Sequence, residues 1–144
     1  GLAGLWFEGQ RHWPRGTEGW QPHAGLPVFA QAARQLDAYF AGQLADFDLP
    51  LDLSAGTPFQ QRVWRALCAI APGRTTSYGA LAAAAGAPSA VRAVGAAIGR
   101  NPVSIVVPCH RVLGAAGKIT GYSGGDGLPT KRLLLKLEGI SSKE

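Results

Sequence analysis

The reactive chemistry of this 144-residue chain concentrates at Cys109-His110. A thiolate is a strong nucleophile, but an ordinary thiol is mostly protonated near neutral pH. A histidine in reach, directly or through one water, takes that proton. A carboxylate behind the histidine holds the ring and stabilises the imidazolium. Only three carboxylate side chains follow residue 56. Asp126 sits in a glycine loop, Glu144 ends the chain, and Glu138 falls on the last predicted helix. Elimination leaves Glu138 as the orienter of His110. The second cysteine, Cys68, faces helix neighbours and reads as an inert core thiol. Cys109 instead leaves a buried apolar run, Ser104–Val107, inside Pro-Cys-His-Arg.

Several elements must position this pair. Residues 2–7 read as a short strand. Phe29, Ala33, Leu36, Phe40 and Leu44 recur at helical spacing and predict a helix over 28–44. Alternation at Phe47, Leu49, Leu51 and Leu53 predicts an extended linker, with a boundary near Ser54–Gly56. Thr57, Pro58 and Gln60 form a capping box with proline at the first helical position. Phe59, Val63, Leu67 and Ile70 line that helix before Pro72-Gly73 stops it. Shorter helices follow, from Tyr78 to Ala85 and from Pro88 to Gly99, joined at Gly86-Ala87 like a helix-turn-helix. The final helix spans about 129–138, with Leu133, Leu134 and Leu137 inward and Gly139 as its stop.

The helix ending at Gly99 carries one long polar side chain, Arg92, among Ala93, Val94, Gly95, Ala96, Ala97 and Ile98. Reading base edges takes several Asn, Gln, Arg or Ser. Small residues instead admit a close, sequence-indifferent approach, as in the minor groove. Without Arg92 the same stretch would read as an Ala/Gly packing seam.

Charge is divided along the chain. Residues 1–56 carry three basic and six acidic side chains, and residues 57–144 carry eleven basic and three acidic ones, for a net +5 overall. No carboxylate side chain lies between Asp52 and Asp126, where seven Arg or Lys fall. A basic half of this kind fits a phosphate-binding surface better than a merely solvated face.

Composition closes off other classes. Hydrophobic residues at 47% and charged residues at 16% exclude a disordered tail. No apolar run approaches the ~20 residues of a membrane span, and no basic, apolar leader is present. Two cysteines with no CxxC pair point to a reducing, cytoplasmic setting without structural zinc. The chain begins at Gly1 and holds no methionine, so residues are expected to precede it.

Pro108-Cys109-His110-Arg111-Val112 resembles the active-site signature of the O6-alkylguanine-DNA alkyltransferases. The resemblance runs over 57–139. It takes in Thr57–Trp64, Thr76–Gly79, Arg92–Gly95, Arg100–Pro102, Gly121–Gly125 and Leu137–Gly139, in order. Residues 1–56 resemble the family's N-terminal domain, entered after its first strand.

The resemblance implies an α/β (α+β) protein. Its small strand-and-helix domain at 1–56 precedes a mostly helical domain at 57–144 with a winged helix-turn-helix-like motif. It implies that Cys109 accepts an alkyl group from O6 of guanine, and also from O4 of thymine, with His110 and Glu138 as its relay. Arg92 would replace the flipped nucleotide, with Ala93, Gly95 and Ala96 along the minor groove. Tyr78 would rotate the 3′ phosphate and protonate the departing guanine. Tyr122 and Ser123 would cover the pocket, carbonyls of Cys109 and Val112 would read the amino group, and Asn101 would brace the turn. The implied partner is alkylated duplex DNA met by a monomer, with cooperative assembly on DNA left open. No cofactor or metal is implied.

The loop Gly124–Pro129 is two residues longer than in relatives, and Ser104 stands where some have proline. Three other readings compete: a protein that binds lesions and flags them, a helix-turn-helix regulator, and a Cys-His hydrolase. Intact Cys109 argues against the first, the smooth helix against the second, and the lack of an evident oxyanion hole against the third.

Overall fold

The computed structural model describes residues 1–11 and 13–140. His12 and residues 141–144, Glu144 among them, lie outside the described residues. Those described form five α-helices and one two-stranded parallel sheet, against which α3 packs. None of these helices is long and apolar enough to cross a membrane.

The N-terminal segment does not build the regular strand expected over 2–7. It pairs at two isolated points, Leu2 with Leu51 and Leu5 with Val103. Leu2 N donates to Pro50 O at 2.7 Å and Leu5 N to Pro102 O at 2.8 Å, so the segment joins the linker to the chain before Cys109.

Helix α1, Pro27–Phe40, starts at its proline and stops short of the expected residue 44, where Gly42 takes a left-handed φ of 76°. Its inward stripe is also displaced from the expected one. Ala32 and Tyr39 are buried with Val28 and Leu36 packed beside them, while Phe29 and Phe40 are 42% and 45% exposed.

Helix α2, Pro58–Cys68, opens on the expected capping box: Thr57 Oγ1 accepts from Gln60 N and Gln60 Oε1 from Thr57 N. Val63 and Leu67 are fully buried, which stabilises by roughly 1.5–3 kcal/mol each. Cys68 is exposed rather than in the core, because it sits at the last turn, off that stripe.

Strand β1, Thr76–Ser77, leads into helix α3, Tyr78–Ala84, capped by Ser77 Oγ. Helix α4, Val91–Gly99, begins three residues later than the proline-led start suggested, since 87–90 form a turn. Trp64 Nε1 donates to Ala97 O at 2.9 Å, fixing α2 to α4.

Residues 103–107 are buried, save the half-buried Val106, but not extended. They turn back on themselves, with Val107 N donating to Val103 O and Ile105 held at a φ of 74°, a strained value for a β-branched residue. A 3-10 turn, Cys109–Arg111, runs into strand β2, Val112–Leu113, which pairs with β1 so that Thr76 faces Val112.

Helix α5, Leu128–Leu137, buries Lys131, Leu134 and Leu135. Leu133 is 52% exposed instead of inward, and Leu135 takes its place in a cluster with Leu113 and Ile119. Tyr39, Ile105 and Leu134 form a separate cluster that ties α1 to α5.

Candidate active site

Cys109 is buried and lines a cavity of about 200 Å³. Helix α4 contributes Gly95, Ile98 and Gly99, the start of α3 gives Tyr78, and the glycine loop gives Tyr122 and Ser123. The volume is below the ~300–1,000 Å³ of drug-sized ligand sites, on the scale of one small ring system. Ser123 Oγ donates to Gly99 O at 2.9 Å, closing the loop onto α4. The Tyr78 hydroxyl donates to Thr120 O at 3.3 Å.

Burial pushes the Cys109 thiol above its ordinary range, against the opposing pull of Asn101, Lys131 and Tyr122. The resting sulfur is therefore a thiol, and a base must take its proton during reaction. The candidate base stands next in the chain. His110 is fully buried, and its Nε2 lies 2.5 Å from Glu138 Oε2.

Burial works to raise the Glu138 pKa, yet hydrogen bonds from His110, Arg111 and Tyr39 hold it down at about 2. An ionised carboxylate can only accept, so His110 Nε2 carries the hydrogen and Nδ1 keeps the lone pair. Among the described residues Nδ1 is buried with no hydrogen-bond partner. Burial also lowers the His110 pKa, outweighing the Glu138 hydrogen bond, so the ring rests neutral. The arrangement is a neutral imidazole of fixed tautomer, next in the chain to a buried thiol.

The remaining candidates fall into two sets. Asn101 is buried and braces the segment before Cys109, donating to Val107 O at 2.8 Å and accepting from Val103 N at 3.0 Å. Val112 N donates to Cys109 O, and Val112 O accepts from Lys131 Nζ at 2.6 Å. Arg92, Ala93 and Ala96 do not line the Cys109 cavity and are exposed on α4. Arg92, Gly95 and Gly99, three and seven residues apart, share one face of that helix, and the glycines carry the face into the cavity. A Cβ built on either glycine meets nothing within 4 Å, so internal packing does not demand glycine there.

Four residues that sequence reasoning passed over also belong here. Arg111 donates from Nε to Glu138 Oε1 at 2.7 Å, from Nη1 to Ile70 O and from Nη2 to Ala45 O. Lys131 is fully buried, with Nζ on the carbonyls of Val112, Thr120 and Gly121, and burial lowers its pKa to about 8. Tyr39 donates to Glu138 Oε2 at 2.5 Å. Arg11, from the N-terminal segment, lines the Cys109 cavity. Arg111 stood inside the quoted pentapeptide, so a signal was present; Tyr39 meets Glu138 99 positions away, and no local pattern marks Lys131 or Arg11.

The structure thus sets a helix pair with a smooth, arginine-bearing second helix beside a buried cysteine whose neighbour, His110, is held by Glu138. Comparison with known proteins agrees. Residues 58–140 match the 6-O-methylguanine DNA methyltransferase DNA-binding domain, and residues 1–53 match the ribonuclease-like domain of the same methyltransferase. The chain belongs to the methylated-DNA–protein-cysteine methyltransferases.

It is 58% identical over 119 residues to the Mycobacterium tuberculosis methylated-DNA–protein-cysteine methyltransferase, covering 83% of this chain and 69% of that protein. The Methanosarcina barkeri relative of the same name is 54% identical over 110 residues, covering 76% and 68%. The fold matches the crystal structure of M. tuberculosis OGT in complex with DNA, with a TM-score of 0.87 at 52% identity over 95% of this chain and 80% of that one. S. pombe Atl1, in complex with damaged DNA containing O6-carboxymethylguanine, matches with a TM-score of 0.51 at 32% identity, over 58% of this chain and 77% of that one.

Proposed function

We propose that this protein repairs DNA by moving an alkyl group from O6 of guanine, and from O4 of thymine, onto Cys109. The observation that carries the reading is Cys109 lining a base-sized cavity that opens along the glycine face of α4, with His110 and Glu138 behind it. O6 is out of reach of a protein side chain inside a duplex, so the nucleotide must be extruded, at a cost of a few kcal/mol. The smooth face of α4 lies in the minor groove, with Ala93, Gly95 and Ala96 against the backbone. Arg92 fills the gap left in the stack. Basic side chains of residues 57–144 meet the phosphates.

In the cavity the carbonyls of Cys109 and Val112 receive the guanine amino group. His110 Nδ1 takes the thiol proton through one water, and Glu138 stabilises the imidazolium. The sulfur attacks the alkyl carbon in line, so that an S–C bond forms as the C–O6 bond breaks. Tyr78 delivers a proton to the departing guanine, while Tyr122 and Ser123 cover the reacting atoms. The product thioether is a poor leaving group and no side chain nearby can remove it. Each molecule therefore acts once, as a monomer, in the intracellular compartment that holds DNA. The lesion itself supplies the alkyl group, so the reaction calls for no cofactor.

The test is transfer of a labelled methyl group from an O6-methylguanine duplex. Label should pass to the wild type up to one equivalent and not to Cys109→Ser. Tight lesion binding with no transfer would instead favour a protein that binds lesions and flags them.

A further inference from the structure

Glu138 is held by groups from both halves of the chain. His110 and Arg111 come from the turn that carries Cys109. The third donor, Tyr39, comes from α1, 99 positions away, and its hydroxyl lies 2.5 Å from Oε2, the oxygen that also receives His110 Nε2. Tyr39 is 2% exposed, with its ring against Phe40 and Phe47, each at 5.3 Å between centroids. Burial and then the Glu138 hydrogen bond push its hydroxyl well above the usual phenol range, so it stays protonated and donates.

We propose that Tyr39 is a positioning residue for alkyl transfer, which sets the basicity of His110 by sharing Glu138 Oε2. The proposal rests on the reading of Cys109, His110 and Glu138 as the transfer machinery. Two donors on one carboxylate oxygen divide its charge. The Tyr39 hydrogen bond weakens the hold of Oε2 on the imidazolium and keeps the ring neutral at lower pH. Without it, Oε2 draws more strongly on the His110 N–H, and the ring charges at higher pH. The other groups acting on His110 are the Arg111 and Lys131 cations, which Tyr39 does not touch, and the Glu138 charge, through which Tyr39 acts. The N-terminal half, in this account, contributes to the chemistry and not only to stability.

Two proteins test the proposal, Tyr39→Phe and a full-length chain carrying 3-fluorotyrosine at position 39. The second keeps ring and hydroxyl but has a more acidic, stronger donor. Single-turnover transfer from free O6-benzylguanine is followed against pH, beside duplex affinity and melting temperature. In Tyr39→Phe the acid limb of the profile should move up by about one pH unit, slowing transfer by up to about tenfold on that limb. In the fluorotyrosine protein the limb should move down. Duplex affinity should be unchanged in both.

Profiles that superimpose on the wild type, or that fall equally at every pH with the limb in place, would overturn the role. If Tyr39→Phe does not fold, the fluorotyrosine profile decides alone. A wild type that takes no benzyl group would bring down the underlying reading instead, a result distinct from an unmoved limb.

Discussion

Replacing Arg92 with alanine separates nucleotide extrusion from chemistry. Arg92 is exposed on α4 and absent from the lining of the Cys109 cavity, so its removal leaves the cavity, Cys109, His110 and Glu138 as they are. An exposed substitution of this kind changes stability by about 0.5 kcal/mol or less. The face it shares with Gly95 and Gly99 runs to the cavity, and the proposed role has its side chain fill the gap left by an extruded nucleotide. Extrusion costs a few kcal/mol. If Arg92 offsets about 2 kcal/mol of that, duplex repair should slow by roughly 30-fold, at 1.4 kcal/mol per factor of ten. Reaction with free O6-benzylguanine, which needs no extrusion, should keep its rate. The assay is single-turnover transfer with both substrates at matched pH and salt. Equal losses on duplex and free base would refute the role, because they would place Arg92 in the chemistry or in the fold.

Other outcomes follow from the same geometry. Gly95→Leu should leave the melting temperature at or above the wild type, since a Cβ there meets open space and glycine costs a helix up to about 1 kcal/mol; titration with undamaged duplex should nevertheless show clearly weaker binding. Affinity for undamaged duplex should fall steeply with salt, with a log–log slope of about −0.9 per neutralised phosphate, and a flat titration would undo the charge argument. Acid should destabilise the protein in two stages. His110 is held below its ordinary 6.5, so its part is present above that pH and is lost as pH falls from there through the lowered value. Glu138 is held at about 2 against an ordinary 4.5, and its part, about 3 kcal/mol, is lost between those values. Urea unfolding across pH 7 to 2 should show the lower stage in the wild type and not in Glu138→Gln.

Much of the site was legible because its signals are local. The Thr57–Gln60 capping box, the i, i+4 stripe of α2 and the run of small residues on α4 are set by neighbours within a turn or two, and they hold in the structure. Cys109 and His110 are adjacent, and Glu138 followed by elimination among few carboxylates. What was missed depends on distant partners. The face of α1 was misplaced because Phe29 and Phe40 outrank Tyr39 in hydrophobicity, while the hydroxyl of Tyr39 is satisfied only by Glu138. Lys131 would be read as a surface residue by type, yet three carbonyls from 112–121 draw it inside. Ile105 reads as strand by its β-branch, but the tight turn before Cys109 imposes a positive φ.

The central claim is that Cys109 takes one alkyl group and keeps it. Intact-protein mass spectrometry after incubation with an O6-methylguanine duplex, beside Cys109→Ser, tests it directly. The account predicts a gain of one methyl group on the wild type, saturating at one per molecule, and no gain on the variant. A wild type that binds the lesion and gains nothing, or a gain that persists in Cys109→Ser, would contradict it.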